Sequence, residues 1–326
     1  MNSQEIVTVK NLTKRYGDFT AVDDISLSIR RGEIVGLLGP NGAGKTTTIN
    51  MMIGLARPSA GSISISGIDV VKNPKQVQAI IGIVPDESNL YGEMDGFDNL
   101  CFCGALYGMA KAAREKRAGE LLEQFDLTKA GKRPFRAYSK GMRRKLTIAA
   151  GIIHEPEILF LDEPTTGIDV ESARQIRRLL LNLKERGTTI FITTHYIEEA
   201  ERVCDRIAFI VDGRIVARGT VSELMESITH GHTLRLAADT DLTPFVEKLQ
   251  ARFGDCVVEL QSNNAITLTS EERIPLSPIL QYLDSMGVSI FEARELRPTL
   301  EDIFVKVTGI EAERLRKEKE KGGRGR

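Results

Sequence analysis

The sequence predicts an α/β protein built around a mainly parallel sheet, and three observations support this. Between residue 5 and about residue 218, short β-rich runs alternate with helical stretches, which is typical of strands joined by crossover helices. The runs "EIVGLLG" (33–39), "EILFLD" (157–162) and "TTIFITT" (188–194) are rich in apolar and β-branched residues, as expected of buried strands. The stretch "KTTTINMMIGL" (45–55) follows the first run closely and predicts a helix.

The sequence pattern divides the 326-residue chain into two domains and a tail. Residues 4–228 carry the alternating pattern; within them, residues 96–130 lack such strands, which predicts a helical subdomain inserted at about 88–155. Residues 229–308 follow the order strand–helix–strand–strand–helix–strand, which predicts a small α+β domain of ferredoxin-like type. Residues 309–326 are mostly charged residues and glycine, and they predict a disordered tail.

The composition argues against a nucleic-acid partner. Lys and Arg together number 44 against 45 for Asp and Glu, so the net charge of −1 creates no general attraction for phosphate backbones. No apolar run reaches the ~18–20 residues that cross a bilayer, and the start "MNSQEIVTVKNLTKRYG" lacks a signal-peptide core. We therefore expect a cytosolic chain whose role at any membrane comes through a partner. Cys101 and Cys103 are expected to pack within a helix rather than to bind a metal.

The stretch "GPNGAGKTT" (39–47) carries the strongest chemical signal, because it fits Gly-x4-Gly-Lys-[Ser/Thr] between a predicted strand and a predicted helix. Its glycines let backbone N–H groups crowd around phosphate oxygens, and the positive end of the following helix favours the anion. Lys45 is expected to reach the β- and γ-phosphates of ATP, and the Thr46 hydroxyl to ligate Mg²⁺. The predicted nucleotide contacts are Gly39, Pro40, Asn41, Gly42, Ala43, Gly44, Lys45, Thr46 and Thr47.

A second group of candidates follows two later strands. "ILFLDEPTTGID" (158–169) delivers Asp162 to the carboxyl end of a strand, where α/β sheets bind ligands, and we expect it to hold Mg²⁺. Glu163 follows at once and is the natural general base for a water that attacks the γ-phosphate. His195 ends the strand "TTIFITTH". A lone histidine there is commonly a capping residue, but beside the other two elements it predicts a γ-phosphate contact.

The stretch "RAYSKGMRRKL" combines a helix start with a run of positive charge. Ser139 is well suited to cap the helix, and the Ser-x-Gly segment up to Gly141 makes a second anion-binding helix terminus. Arg143, Arg144 and Lys145 are consecutive, so each steps ~100° around the helix and they cannot form one cationic face. We expect these three charges to be mostly solvated.

The phosphate loop, "YSKGM", "LFLDEP", "GID" and "TTH", in this order and spacing, resemble an ATP-binding cassette (ABC) ATPase over about residues 4–220. The resemblance implies a P-loop NTPase fold with N-terminal antiparallel strands, and hydrolysis of ATP with Mg²⁺. In that family two cassettes sandwich two nucleotides, which implies that Ser139 and Gly141 touch the γ-phosphate bound by a second subunit. Asp169 is then expected at the dimer interface. Tyr16 in "KRYGD" is expected to stack on adenine, with an ordinary edge-strand aromatic as the alternative.

Two departures from the family pattern bear on the site. The family carries Leu-Ser-Gly-Gly-Gln at the dimer segment, and here Tyr138, Lys140 and Met142 replace the Leu, the first Gly and the Gln. Asp86 in "IGIVPDESNLY" stands where the family usually has a Gln that contacts the metal or the attacking water. A carboxylate accepts a hydrogen bond from metal-bound water but cannot donate one as an amide does. We include Asp86 among the predicted Mg²⁺ contacts on that basis.

Within the family, "YSKGM" and a C-terminal domain ending in "RPTLEDIFVKVTG" (297–309) resemble bacterial or archaeal export ATPases. The predicted function is the ATP-hydrolysing subunit of an exporter, a homodimer (or paired cassette) acting on a separate integral membrane permease at the cytoplasmic side. The alternative is a soluble cassette ATPase acting on ribosomes or DNA, against which a single phosphate loop and the lack of a heptad block argue. A nucleotide-sensing module without turnover is a third interpretation, against which Glu163 and His195 argue.

Overall fold

The structure, a computed structural model, describes residues 4–226, 231–296 and 299–309. The strands in these ranges are β1 (Glu5–Tyr16), β2 (Phe19–Arg30), β3 (Ile34–Leu38), β4 (Ala60–Ile65), β5 (Ile68–Asp69), β6 (Ile81–Val84), β7 (Ile158–Asp162), β8 (Thr189–Thr194), β9 (Arg206–Val211), β10 (Arg214–Thr220), β11 (His232–Ala238), β12 (Val257–Ser262), β13 (Ala265–Ser270) and β14 (Ile290–Leu296). The α-helices are α1 (Lys45–Met52), α2 (Pro74–Ile80), α3 (Gly96–Leu106), α4 (Lys111–Gln124), α5 (Lys140–Gly151), α6 (Val170–Glu185), α7 (Ile197–Val203), α8 (Val221–Glu226), α9 (Val246–Arg252), α10 (Leu276–Ser285) and α11 (Leu300–Thr308).

A six-stranded sheet in the order β10-β9-β3-β8-β7-β6 forms the centre of the first part of the chain. Neighbouring strands from β9 to β6 pair in parallel, and β10 pairs antiparallel with β9. Strands β3, β7 and β8 are buried along their entire lengths, which explains why their sequences are apolar or β-branched runs rather than alternating patterns. These observations confirm the predicted α/β class with a mainly parallel sheet.

A second sheet, antiparallel and in the order β2-β1-β4-β5, packs against α1. One cluster of buried side chains joins this sheet to the parallel sheet through that helix. The cluster includes Leu12 and Ile63 of the antiparallel sheet, Met52 of α1, and Leu37 and Phe160 of the parallel sheet. The N-terminal antiparallel strands implied by the resemblance are therefore present, and they hold α1 against the central sheet.

Three α-helices, α3, α4 and α5, occupy the chain between β6 and β7. Asp95 caps α3 by accepting a hydrogen bond from the backbone N–H of Asp98 at 2.8 Å. Ser139 caps α5 in the same way, accepting from the backbone N–H of Met142 at 3.2 Å. Because α5 is the last of the three and leads into β7, it connects the helical segment to the centre of the parallel sheet.

A third sheet, in the order β12-β13-β11-β14, forms the later part of the chain, and all its neighbouring strands are antiparallel. Helices α9 and α10 contribute Leu249, Ile279 and Leu283 to the buried cluster that also contains Leu236 and Ile266 of the sheet. Two crossover helices packed on a sheet with this strand order form the split βαβ arrangement of ferredoxin-like folds.

The described chain separates into two compact units, one that ends at Val221 and resumes at Phe304, and one that spans Ser222–Ile303. The sequence predicts a boundary at 228/229 and assigns residues up to 308 to the second domain, so both limits differ from the observed units. The second difference has a clear cause, because the ring of Phe304 is buried edge-to-face against that of Phe209, with centroids 5.4 Å apart. A contact between residues so distant in sequence leaves no local signal.

Several predicted features fall outside the described residues. Residues 227–230 span the predicted boundary, residues 297–298 begin the export-type ending, and residues 310–326 make up most of the predicted tail. Within the ranges that are described, no helix combines the length and the apolar character needed to cross a bilayer.

Phe160→Ala is expected to lower the free energy of unfolding of the first unit by about 3–5 kcal/mol. The Phe160 side chain is fully buried in β7, and its ring centroid lies 5.8 Å from that of Phe191. The midpoint of urea unfolding, followed by far-UV circular dichroism, measures the change. Phe19→Ala, at a side chain 63% exposed on β2, is the control and should change the free energy by less than ~0.5 kcal/mol. Equal midpoints for the two variants would contradict the assignment of β7 to the core.

Candidate active site

The predicted site residues follow four neighbouring strands of the parallel sheet, β3, β8, β7 and β6, at their carboxyl ends. Gly39 follows β3, His195 follows β8, Asp162 ends β7, and Asp86 lies just beyond β6. Parallel strands end at the same edge of a sheet, so four segments far apart in sequence meet in one place. The register of the strands therefore assembles the candidate site.

The phosphate loop turns into α1 at Gly44. Its φ of +100° lies in the left-handed region, and a Cβ at this position would lie 2.5 Å from the backbone oxygen of Ala21. Both facts require glycine here. Helix α1 has no side-chain cap at its N-terminus, which leaves its first N–H groups available to phosphate oxygens.

Lys45 begins α1, and its side chain is only 6% exposed. The ammonium donates hydrogen bonds to the carbonyl oxygens of Gly39 and Pro40, at 2.8 and 3.1 Å. It also lies 3.2 Å from Oε1 of Glu163. One buried cation therefore joins the start of the phosphate loop to the carboxylate that follows β7.

Thr46 and Asp162 bring together the two oxygens that we predict as Mg²⁺ ligands. The Thr46 hydroxyl donates to Oδ2 of Asp162 at 2.9 Å, and the Thr193 hydroxyl donates to Oδ1. Mg²⁺ usually takes one or two protein oxygens and completes its octahedral shell with phosphates and water. A hydroxyl and a carboxylate side by side at a phosphate loop fit that set of donors.

Glu163 occupies the turn directly after β7 with a φ of +47°, in the left-handed region. Its backbone N–H donates to the carbonyl oxygen of Thr193 at 3.1 Å, which anchors the turn on β8. Oε2 accepts a hydrogen bond from the Thr166 hydroxyl at 3.1 Å and lies 2.9 Å from Nδ1 of His195. Oε1 is buried and lies 3.2 Å from the ammonium of Lys45, so both carboxylate oxygens have a positively charged or hydrogen-bonding neighbour.

The pKa values of Glu163 and Asp86 shift in opposite directions. Burial raises the pKa of the Glu163 carboxyl, but the hydrogen bond with His195 and the charge of Lys45 outweigh burial and lower that pKa below its ordinary value. Burial raises the pKa of Asp86 by more than the guanidinium of Arg144 lowers it, and the neighbouring carboxylates add to the rise. Glu163 is therefore ionised at neutral pH, as a general base must be.

A cavity of about 780 Å³ brings four predicted residues together, namely Asn41, Asp86, Glu163 and His195. The volume lies in the range of small-molecule sites. The cavity contains the carboxylate of Glu163, the histidine that is hydrogen-bonded to it, and the second carboxylate of Asp86. Chemically, these groups can orient a water molecule and accept its proton while the phosphate loop holds the group under attack.

A separate surface contains the residues predicted to contact a second subunit, namely Ser139, Gly141 and Asp169. We call this surface the α5–α6 edge, and it is formed by residues 139–141 and 169–172. Ser139 is exposed at the start of α5, and Asp169 caps α6 by accepting from the backbone N–H of Ser172 at 2.9 Å. Gly141 is buried where the two helices meet, because a Cβ there would lie 2.1 Å from Oγ of Ser172. Among the described residues, no hydrogen bond or ion pair joins this edge to the phosphate loop.

Tyr16, the predicted adenine-stacking residue, ends β1. Its side chain is 53% exposed, and the ammonium of Lys14 lies 4.8 Å from the ring centroid. The ring is therefore accessible to a ligand. None of its described contacts involves the phosphate loop, so adenine stacking stays a prediction.

The expectation that the charges at 143–145 are mostly solvated is wrong for Arg144. This side chain is only 7% exposed, whereas Arg143 and Lys145 are half-buried. Consecutive residues of a helix point in different directions, and this geometry alone does not show which of the three side chains faces inward. The available signal was the spacing, since Gly141 and Ile148, three residues before and four after, are also buried.

Fold and phosphate loop together define a P-loop nucleoside triphosphatase. Residues 22–166 match the family described as ABC transporter. The chain belongs to the ABC transporter family, and it is an ATPase subunit of the export type.

Three relatives align with the chain over almost their whole length. A daunorubicin resistance ATP-binding protein of Streptomyces coeruleorubidus is 38% identical over 313 residues, which cover 93% of this chain and 96% of that protein. A Nod factor export ATP-binding protein of Ralstonia nicotianae is 37% identical over 321 residues, with coverages of 95% and 96%. A linearmycin resistance ATP-binding protein of Bacillus subtilis is 36% identical over 307 residues, with coverages of 93% and 98%.

Solved structures confirm the cassette fold. An ATP-binding subunit of an ABC transporter superposes with a TM-score of 0.63 at 32% identity, covering 68% of this chain and 92% of its own. An ATP-binding cassette in a dimeric post-hydrolysis state, bound to ADP and Pi, superposes with a TM-score of 0.61 at 28% identity, covering 66% and 98%.

His195→Ala is expected to move the acidic limb of the kcat–pH profile to higher pH. The hydrogen bond with His195 lowers the pKa of Glu163. Its loss leaves Lys45 to oppose burial without that hydrogen bond, so the pKa rises and the base becomes protonated at a higher pH. Phosphate release measured between about pH 3 and 7 covers both limbs, because the lowered pKa of Glu163 places the wild-type limb below the ordinary range of a glutamate. His154→Ala is the matched control, because this histidine stacks on Tyr107 outside the site and should leave the limb unmoved. A limb at the wild-type pH in His195→Ala would refute the coupling.

Proposed function

We propose that the chain works as a homodimer, or as one half of a paired cassette, that binds two ATP molecules with Mg²⁺. In this proposal it drives a separate integral membrane permease from the cytoplasmic side of the membrane. The observation that carries the proposal is the α5–α6 edge. Ser139 is exposed at a helix start that favours anions, yet no described contact joins it to the phosphate loop of its own chain. A phosphate-binding element apart from its own site fits a site that a second copy completes.

Hydrolysis at each site follows from the groups around Glu163. The water that attacks the γ-phosphate gives its proton to Glu163, and ADP and phosphate are the products. Lys45 binds the β- and γ-phosphates and offsets the charge on them. Thr46 and Asp162 would hold Mg²⁺, which supplies charge neutralisation for the phosphates when bound. His195, 2.9 Å from Oε2 of Glu163, orients the base and contacts the γ-phosphate.

Closure of the dimer would bring the start of α5 in one subunit to the ATP of the other. The Ser139 hydroxyl and the first backbone N–H groups of α5 would then bind the γ-phosphate. Asp169, at the same edge, would lie at the interface near the opposite site. The similar cassette in a dimeric state with ADP and Pi supports this arrangement. ATP binding would close the dimer and hydrolysis would reopen it, moving a transmembrane partner between access states.

The names of the relatives support a role in export. All three are ATP-binding proteins, two named for resistance to a small molecule and one for Nod factor export. Because the chain aligns with nearly their full length, an ATP-binding role in export fits this protein. The cassette would supply the energy, and the permease would select the exported molecule.

Glu163→Gln is expected to lower steady-state ATP hydrolysis by about 100- to 10,000-fold and to leave a stable ATP-bound dimer. The amide keeps the size of the side chain but cannot take the proton. Phosphate release and sedimentation velocity with ATP and Mg²⁺ measure the two effects. Glu155→Gln is the control, because Glu155 also adopts a left-handed conformation, with a φ of +54°, but lies outside the site. Wild-type turnover in Glu163→Gln would exclude Glu163 as the base.

Ser139→Arg, added to Glu163→Gln, tests whether a second copy completes the site. The bulky cation at the start of α5 should prevent ATP-driven dimerisation and leave ATP binding to the monomer intact. If the double variant dimerised with ATP as strongly as Glu163→Gln alone, the sandwich arrangement would be wrong.

Affinity purification of the chain from detergent-solubilised membranes is expected to recover an integral membrane protein, which mass spectrometry would identify. An unrelated soluble protein with the same affinity tag is the control. Recovery of ribosomes or DNA, without an enriched integral protein, would favour a soluble cassette ATPase instead.

A further inference from the structure

Arg144 donates hydrogen bonds to backbone carbonyl oxygens on two loops of the site. Its Nε donates to the oxygen of Pro164 at 2.9 Å, and its Nη2 donates to the oxygen of Asp162 at 2.6 Å. Its Nη1 donates to the oxygen of Asp86 at 3.1 Å and also to that of Pro85. A guanidinium buried to this extent usually pairs with a carboxylate. Here, within the described residues, the guanidinium bonds to the backbone alone.

Two of these carbonyl groups lie on either side of Glu163 in the sequence. Asp162 and Pro164 flank Glu163, so one guanidinium holds the peptide unit directly before the base and the peptide unit that follows Pro164. Glu163 has a left-handed backbone, which a residue other than glycine keeps only when its surroundings hold it there. Arg144 is part of those surroundings.

The fork of an arginine suits this position, and other side chains do not. The four acceptors lie on two loops, one after β6 and one after β7, and the planar guanidinium reaches them from three nitrogens. A lysine would carry the same charge on a single nitrogen and could not span both loops. A glutamine has one NH₂ group with two donors, so at least two of the buried carbonyl groups would lose their partner.

The charge of Arg144 also matches its surroundings. Burial lowers the pKa of Arg144 to about 10, against the attraction of Asp86, Asp162 and Glu163, which raises it. The guanidinium therefore remains a cation at neutral pH. It attracts the carboxylates of Asp86, Asp162 and Glu163, and it belongs to α5, the helix that Ser139 caps.

We propose that Arg144 is a positioning residue for ATP hydrolysis, which ties α5 to the turn of Glu163 and to the loop of Asp86. These hydrogen bonds fix the position of Glu163 relative to the N-terminus of α5, where Ser139 lies, within one subunit. The inference rests on the proposed roles of Glu163 as the base and of Ser139 as the contact to a second ATP.

Arg144→Gln is expected to lower kcat by about 100-fold, the size of effect that a misplaced catalytic group produces. The dissociation constant for ATP should stay near the wild-type value, because none of the hydrogen bonds of Arg144 to the described residues reaches the phosphate loop. Steady-state kinetics and nucleotide titration of the full chain separate the two quantities. Arg143→Gln is the matched control, since this neighbour donates to the carbonyl oxygen of Arg136 and should leave kcat unchanged. A purely structural anchor would lower the melting temperature of Arg144→Gln and leave kcat per folded molecule at the wild-type value, which would overturn the proposal.

Arg144→Lys decides the question if Arg144→Gln fails to fold, because it keeps the buried charge and removes the fork. Its kcat should also fall, and wild-type turnover would mean that a cation alone suffices, against the proposal. A double-mutant cycle tests the tie to α5: Ser139→Ala should lower kcat much less in the Arg144→Lys background than in the wild type. If the double variant lowered kcat by the product of the two single effects, the coupling between Arg144 and the start of α5 would be refuted.

The outcomes also distinguish this inference from the proposed function. If Glu163→Gln abolishes turnover while both Arg144 variants hydrolyse ATP as the wild type does, only the role of Arg144 is wrong. If Glu163→Gln retains turnover, the base assignment fails, and the role of Arg144 fails with it.

Discussion

The buried contact between Lys45 and Glu163 is the interaction on which the site depends. Their side chains are 6% and 10% exposed, and two opposite charges withdrawn from water are tolerated only when they compensate each other. The 3.2 Å between ammonium and carboxylate therefore fixes the phosphate loop after β3 relative to the turn after β7. Strand β8 lies between those two strands, so the pair forms only when all three are in register.

The other charged groups of the site must also be compensated, because they are withdrawn from water as well. Three carboxylates, those of Asp86, Asp162 and Glu163, lie around two buried cations, Lys45 and Arg144. The small excess of anionic groups suits a divalent cation, which in turn suits the phosphates of a nucleotide. Backbone carbonyl oxygens supply the remaining compensation for Arg144, whose charge would otherwise be costly to bury.

Local patterns predicted most of this architecture, and long-range contacts account for what they missed. Apolar runs predicted β3, β7 and β8, and a Gly-x4-Gly-Lys-Thr spacing predicted the phosphate loop, because burial and tight turns restrict residue type locally. The inward position of Arg144 depends on carbonyl groups after β6 and β7, which no helical pattern encodes. The packing of Phe304 against Phe209 is equally remote in sequence, so the limit of the first unit could not be predicted.

The close approach of α5 and α6 at Gly141 sets how freely the "YSKGM" segment can vary. No side chain of any size fits at 141, since even a methyl group would overlap Oγ of Ser172. At 139 the cap needs a short oxygen-bearing side chain to reach the N–H of Met142. Lys140 is exposed and Met142 half-buried, so neither position carries such a restriction. Of the three departures from the Leu-Ser-Gly-Gly-Gln pattern, those at 140 and 142 thus fall at permissive positions, whereas Tyr138 is buried and donates a hydrogen bond to the carbonyl oxygen of Ala130. Substitutions at 139 and 141 should therefore be poorly tolerated, whereas substitutions at 140 and 142 should be tolerated.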